Sequence, residues 1–402
     1  MQVASRVPRY DGPLREGRLA PPSAKPAAEK TPAGVVDEAL VAPAAAPPGS
    51  HHRVRPPHER YPIVQPEVSL EHAVNEPVRR GEFVPRLPGL DSVWAQGIKG
   101  KGQTIAVIDS GWYPNADVVG RVVAFHDFTT AHKEKPYDPD GHGTHVVGTV
   151  AGNGTLSHGK YQGVAPEANV VVLRIDTVAQ AIEALKWVEA NRQTYHIGVV
   201  NMSLGDCVES SYKTDPWCIA TQKVIDSGVI VVAAAGNECC GPSEPDRCDL
   251  SICTPGNMPD IISVGAYDDK GTPQLDDDSL PGFTAHGPTP IDGLAKPDVV
   301  APGCSVVSNA TPGGERDKPD RHVDINYMML SGTSQATPMV AGLAALMLSV
   351  NPTLTQAQVK DILRQTASNH LHADPMLGGA GLVQADKAVA MAAAMRSGSK
   401  PV

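Results

Sequence analysis

From about Phe83 onward the chain consists of short Val- and Ile-rich runs separated by helical patterns, and this alternation limits the possible folds more than any other feature. The runs are Thr104–Ile108, Val170–Ile175, Gly198–Leu204, Val229–Ala235, Ile261–Ala266 and Asp298–Ala301. None alternates strictly between apolar and polar residues, so each reads as a parallel strand buried on both faces. Between two of them, Val178, Ala181, Ile182, Leu185 and Val188 form one apolar stripe at helical spacing. Ser334–Val350 is apolar nearly all round and predicts a buried central helix, and Gln384–Met395 predicts a closing one. Such alternation over roughly 300 residues predicts an α/β fold, a doubly wound and mostly parallel sheet flanked by helices in three layers. In sheets of this kind, sites lie beyond the carboxyl ends of the strands.

The preceding segment is different. Residues 1–85 contain PPSAKPAAEKTPAG and VAPAAAPPGSHHRVRPPHERYP, with few apolar residues at either structural period. A stretch like that buries too little surface to offset its ordering entropy, so a disordered, Pro-rich arm or linker is expected. The folded domain is expected over 86–396, with a short tail at 397–402. Arg79-Arg80 reads as a solvated linker pair or a processing site. The formal net charge of -10 argues against nucleic-acid partners, and no run approaches the roughly 20 apolar residues that span a bilayer. A monomer without membrane insertion is expected.

No apolar leader core follows Met1, which by default predicts a cytoplasmic protein. The cysteines pull the other way, because six of the seven fall between Cys207 and Cys253. Disulfides stapling long loops, reduced thiols, and a zinc site from Cys239, Cys240, Cys248 and Cys253 are all open readings. Secretion or an envelope location therefore stays open.

Three motifs sit where the strand-end rule would put a site. Val107–Gly111, VIDSG, is a buried strand ending in the carboxylate of Asp109. Gly141–Gly152, GHGTHVVGTVAG, places His142 at the opening of an apolar helix, and Ser331–Gly342, SGTSQATPMVAG, places Ser334 at the start of the central one. Pro338 is expected in that helix's first turn, where a missing N–H costs little. A serine hydroxyl becomes a useful nucleophile only when an imidazole removes its proton, and the imidazole needs a carboxylate to fix its tautomer. A helix N-terminus adds N–H groups where an oxyanion would form. Asn237, ending VVAAAGN, is a natural second donor for that oxyanion. Each residue also has a plainer reading: Asp109 and Asn237 as turn residues, Ser334 as a helix cap, His145 as a structural or metal-binding partner of His142.

With these motifs the chain, from roughly Leu90 to Met395, resembles the subtilisin-like serine peptidases. VIDSG, HGTHVVG, AAAGN and SGTSQATP match that family's motifs in the order Asp, His, Ser. The resemblance implies a serine endopeptidase with Asp109, His142 and Ser334 as the triad, protein or peptide as substrate, and no cofactor for the chemistry. It further implies that Ser203, Leu204 and Gly205 bind substrate together with Ala234, Ala235 and Gly236. Many relatives hold structural calcium, and Asp117 is the candidate ligand, although its spacing from Asp109 is one residue short. The segment ECCGPSEPDRCDLSIC looks like an insertion beside the specificity pocket. Its Glu238, Glu244 and Asp246 predict a preference for basic side chains. A maturation protease or macrocyclase of narrow specificity, or an inactive binding module, are the alternative expectations.

Overall fold

The computed structural model describes residues 86–237, 250–272 and 274–396. The arm, the tail, Arg79-Arg80, three cysteines (Cys239, Cys240, Cys248) and the acidic residues Glu238, Glu244 and Asp246 lie outside them.

Seven strands form one parallel sheet in the order β2-β3-β1-β4-β5-β6-β7. They are β1 (Thr104–Asp109), β2 (Val122–Asp127), β3 (Asn169–Arg174), β4 (Ile197–Met202), β5 (Ile230–Ala234), β6 (Ile262–Tyr267) and β7 (Val299–Pro302). Strands β1, β5, β6 and β7 are buried at every residue, as uninterrupted Val/Ile runs require when helices cover both faces. The doubly wound parallel sheet expected from the sequence is therefore present. Strand β2 was not expected; its burial alternates along much of its length, and it lies at the sheet edge.

The helices divide between the two faces. Helices α1 (Leu90–Ala95), α2 (His142–Ala151), α5 (Thr333–Val350), α6 (Gln356–Thr366) and α8 (Ala385–Arg396) contribute to one core, with β1, β3 and β5 supplying Val107, Val172 and Val232. Helices α3 (Val178–Asn191) and α4 (Pro216–Asp226) cover the other face, where Leu185 and Val224 meet Ile108 and Leu173. The start of α3 is fixed by a reciprocal cap between Thr177 and Gln180. Helix α4 opens on the Asp215 cap followed by Pro216. A short helix α7 (Pro375–Gly378) precedes α8.

Helix α5 is apolar enough to cross a membrane by length and composition, but 89% of it is buried inside this fold. Pro338 is its sixth residue and so falls in the second turn, not the first as expected. The missing N–H is the one that would reach the Ser334 carbonyl.

Two further strands, β8 (Val306–Asn309) and β9 (Tyr327–Leu330), pair antiparallel beside α2. They tie to it through His145, whose Nε2 meets the Val306 carbonyl at 3.0 Å and whose own carbonyl accepts from Ser308 Oγ at 2.7 Å. Burial holds the His145 pKa down at about 3, so the ring stays neutral and structural. The long connection 310–326 between β8 and β9 is the feature that the strand pattern least suggests.

Candidate active site

The sheet order changes direction at β1, which has β3 on one side and β4 on the other. A crevice opens beyond the carboxyl ends at such a point. Asp109 is the last residue of β1, Ser203–Gly205 follow β4, and Ala235–Asn237 follow β5. A cavity of about 640 Å³ lies there, and Asp109, His142, Asn237 and Ser334 all line it.

His142 is the first residue of α2. Its position depends on Asp138, whose carboxylate accepts from Gly141 N at 2.9 Å and from Thr144 N and Oγ1 at 2.8 and 2.6 Å, capping the helix from outside. The next residue must be small, because a Cβ on Gly143 would lie 2.2 Å from the Gly111 carbonyl oxygen. That contact seats α2 directly on the turn after β1. His142 Nδ1 then lies 2.8 Å from Asp109 Oδ1, which also accepts from Ser110 N at 2.8 Å.

The Asp109 side chain is 3% exposed and that of His142 14%. Burial by itself would lower the His142 pKa, but the charge of Asp109 and its hydrogen bond outweigh this; Arg316 opposes and Asp140 assists. The net displacement is upward from the ordinary value.

Ser334 is the second residue of α5, among N–H groups that have no partner inside the helix. Its hydroxyl makes no hydrogen bond among the described residues and faces the cavity that His142 also faces. Asn237 is oriented from the same helix. Its Oδ1 accepts from Thr333 N at 2.7 Å and from Thr333 Oγ1 at 2.9 Å. With the oxygen held there, the amide NH₂ is the free end. The arrangement can deprotonate a hydroxyl and supply N–H donors to an oxygen that becomes negative beside it.

Of the residues expected to bind substrate, Ser203, Leu204, Gly205, Ala234 and Gly236 line the cavity. Ala235 is turned away and packs with Ile252 and Ala285. Cys253, for which a disulfide, a reduced thiol and a zinc ligand were the open readings, also lines the cavity. A Cβ on Gly205 would sit 2.8 Å from Cys253 Cβ, and one on Gly236 2.5 Å from its Sγ. Both glycines therefore permit the close approach of Cys253, and Gly236 also has φ +124°. Cys253 and Cys218 carry thiols, whereas Cys207 is disulfide-bonded. Cys207 thus follows the disulfide reading, and Cys218 and Cys253 follow the reduced-thiol one.

The carboxylate of Asp117 is engaged by protein donors. Its Oδ1 accepts from Leu156 N at 2.8 Å, and its Oδ2 accepts from Asn309 Nδ2 at 2.8 Å and from the Tyr327 hydroxyl. These donors take up three of the carboxylate's roughly four lone-pair sites. Among the described residues, no group of three His, Cys, Asp or Glu side chains is placed to hold a metal.

The model of the subtilase family matches residues 100–384. Serine protease AprX of Bacillus subtilis (strain 168) is 39% identical over 307 residues, which cover 73% of this chain and 67% of that one. Subtilisin E of the same organism is 33% identical over 313 residues, 75% of this chain and 69% of that one. The crystal structure of a cold adapted subtilisin-like serine proteinase superposes with a TM-score of 0.51 at 32% identity, covering 68% of this chain and 84% of that one. The chain belongs to the subtilase family and is a subtilisin-like serine-type endopeptidase, a hydrolase acting on peptide or protein substrates.

Proposed function

We propose that Ser334 is the nucleophile, His142 the general base and Asp109 the carboxylate that orients it, and that hydrolysis runs through an acyl-enzyme. The observation that carries this reading is the 2.8 Å contact of buried Asp109 with His142 Nδ1, in a cavity shared with an uncommitted Ser334 hydroxyl. His142 Nδ1 bears its proton toward Asp109, which leaves Nε2 as the base. Ser334 Oγ attacks the substrate carbonyl carbon while its proton passes to Nε2. The tetrahedral oxyanion accepts hydrogen bonds from Asn237 Nδ2 and the Ser334 N–H. His142 returns the proton to the leaving amine as the C–N bond breaks. Water, deprotonated by the same nitrogen, then cleaves the Ser334 ester and restores the hydroxyl. The acyl part of the substrate runs along Ser203–Gly205 on one side and Ala234 and Gly236 on the other, with its side chain toward Cys253.

Because the His142 pKa is displaced upward, activity rises with pH through a midpoint above the reference value of about 6.5. The test is product mass from a defined peptide. Two fragments whose masses sum to the substrate plus water are expected. A cyclic or amine-capped product lacking that water would identify acyl transfer to an amine in place of hydrolysis.

A further inference from the structure

A second cavity, of about 380 Å³, shares Ser334, His142, Asn237 and Arg316 with the first and extends away from Ser203–Gly205. It continues past Met329–Ser331 to Arg321 and Gln335. If the acyl part of a substrate occupies the first cavity, the leaving part enters the second. Among the described residues no Asp or Glu lines it, and three side chains there carry unspent donors.

Arg316 is held on the segment leading to His142. Its backbone N–H donates to the Asp140 carbonyl at 2.9 Å, beside Glu315 N on the Pro139 carbonyl at 2.9 Å. Its Nε donates to Asp140 Oδ1 at 2.6 Å, so the terminal nitrogens of a side chain 41% exposed stay available. Arg321, closing a short turn over Pro319–Arg321, has no side-chain partner among the described residues. Of the acids near it in sequence, Asp317 is occupied with His322 and with Gly313 N, Asp324 with Asn326 N and Tyr327 N, and the adjacent Asp320 is exposed and makes no ion pair with Arg321. Gln335 is the third donor. It is 2% exposed, and its Nε2 is buried with no hydrogen-bond partner. An unpaired buried amide costs free energy unless something else satisfies it.

Building on the assignment of Ser334 as nucleophile, we infer that this cavity is a subsite for a carboxylate on the first or second residue after the scissile bond, recognised by Arg316, Arg321 and the Gln335 amide. Planar guanidinium groups pair with carboxylates through two parallel N–H bonds, a geometry that a lysine cannot reproduce. The 310–326 connection is thereby a specificity element for the leaving group.

The test uses internally quenched peptides that differ only after the scissile bond, with Glu, Gln or Lys at either position, each ending in an amide. A fourth, neutral peptide ends there in a free carboxylate, which separates a side-chain acid from a chain terminus. Wild type is expected to give a kcat/KM about tenfold higher for Glu than for Gln, a charge-assisted pair discounted for partial exposure. Lys is expected to be slower still. The Glu-over-Lys ratio should collapse at high ionic strength and in Arg321→Ala, and invert in Arg321→Glu. Each ratio is taken within one enzyme, so a general loss of activity cancels, and the wild-type ratios decide even if a variant fails to fold. Fluorophosphonate labelling of Ser334 is measured on the same preparations. A labelled enzyme with equal rates for Glu, Gln and Lys would overturn the subsite while leaving the nucleophile in place. A preference confined to the free terminal carboxylate would overturn the side-chain form of it.

Discussion

Replacing Asp109 with Asn removes one charge from the buried pair with His142 and leaves its shape nearly intact. The contact is 2.8 Å between side chains 3% and 14% exposed, so an effective dielectric near 20 is appropriate. Two unit charges centred about 4 Å apart then attract by about 4 kcal/mol. That attraction exists only while His142 carries a second proton, which is the condition at the transition state. Its loss should lower turnover by roughly 10³.

The same exchange costs about 10⁴ in a chymotrypsin-type enzyme, where the imidazole adopts the wrong tautomer. Here Ser110 N donates to the very oxygen that holds His142 Nδ1. In Asp109→Asn the new side chain is steered to keep its carbonyl oxygen at that point, with its NH₂ where Asp109 Oδ2 now lies buried without a partner. The tautomer is preserved, so the smaller figure is expected. The pH profile must move as well. Without the Asp109 charge, burial dominates at His142 and lowers its pKa, so the limb on which activity rises with pH shifts downward. The assay is kcat and kcat/KM from about pH 5 to about pH 9 on a substrate for which chemistry is rate-limiting. A loss under about tenfold, or a limb that stays in place, would refute the reasoning.

Two other outcomes test separate parts of the site. Asn237→Leu keeps the volume but removes the free amide beside Ser334, and should cost about 10²–10³ in kcat with little change in KM; the case behind that magnitude is itself a subtilisin. Asp117→Asn breaks a carboxylate holding Leu156, Asn309 and Tyr327, and should lower stability in urea by about 1–3 kcal/mol. Calcium should not restore that variant, and a chelator should leave the wild-type midpoint unchanged. A wild type stabilised by calcium, beside an Asp117→Asn variant that does not respond to it, would instead make Asp117 a ligand.

Much of this site was legible because its chemistry sits at the ends of regular elements. Asp109 and Asn237 follow buried Val/Ile runs, and His142 and Ser334 open apolar helices, so one-dimensional pattern and three-dimensional position coincide. Strand β2 escaped notice because an edge strand ending in Phe125, His126 and Asp127 does not look like its all-buried neighbours. Helices α4 and α6 did carry readable caps, Asp215-Pro216 and the Thr355–Gln358 pair.

Cys253, Arg316 and Arg321 were not legible as site residues for a different reason. Cys253 reaches the cavity only because Gly205 and Gly236 let it approach. Arg316 reaches it because backbone bonds dock the 310–326 connection on Pro139 and Asp140. Contacts of that range leave no periodicity and no motif in the chain. Asp117 shows the converse: the resemblance suggested a cation ligand, while its bonds to Asn309 and Tyr327, more than 190 residues away in sequence, were not readable from the chain.

The central claim, an activated Ser334, is most directly tested by intact mass after exposure to a fluorophosphonate, with wild type and Ser334→Ala side by side. A single adduct on wild type, mapped to Ser334 and absent from the variant, is the expected result. Folded wild-type protein that takes no adduct, or an adduct that persists in Ser334→Ala, would contradict it.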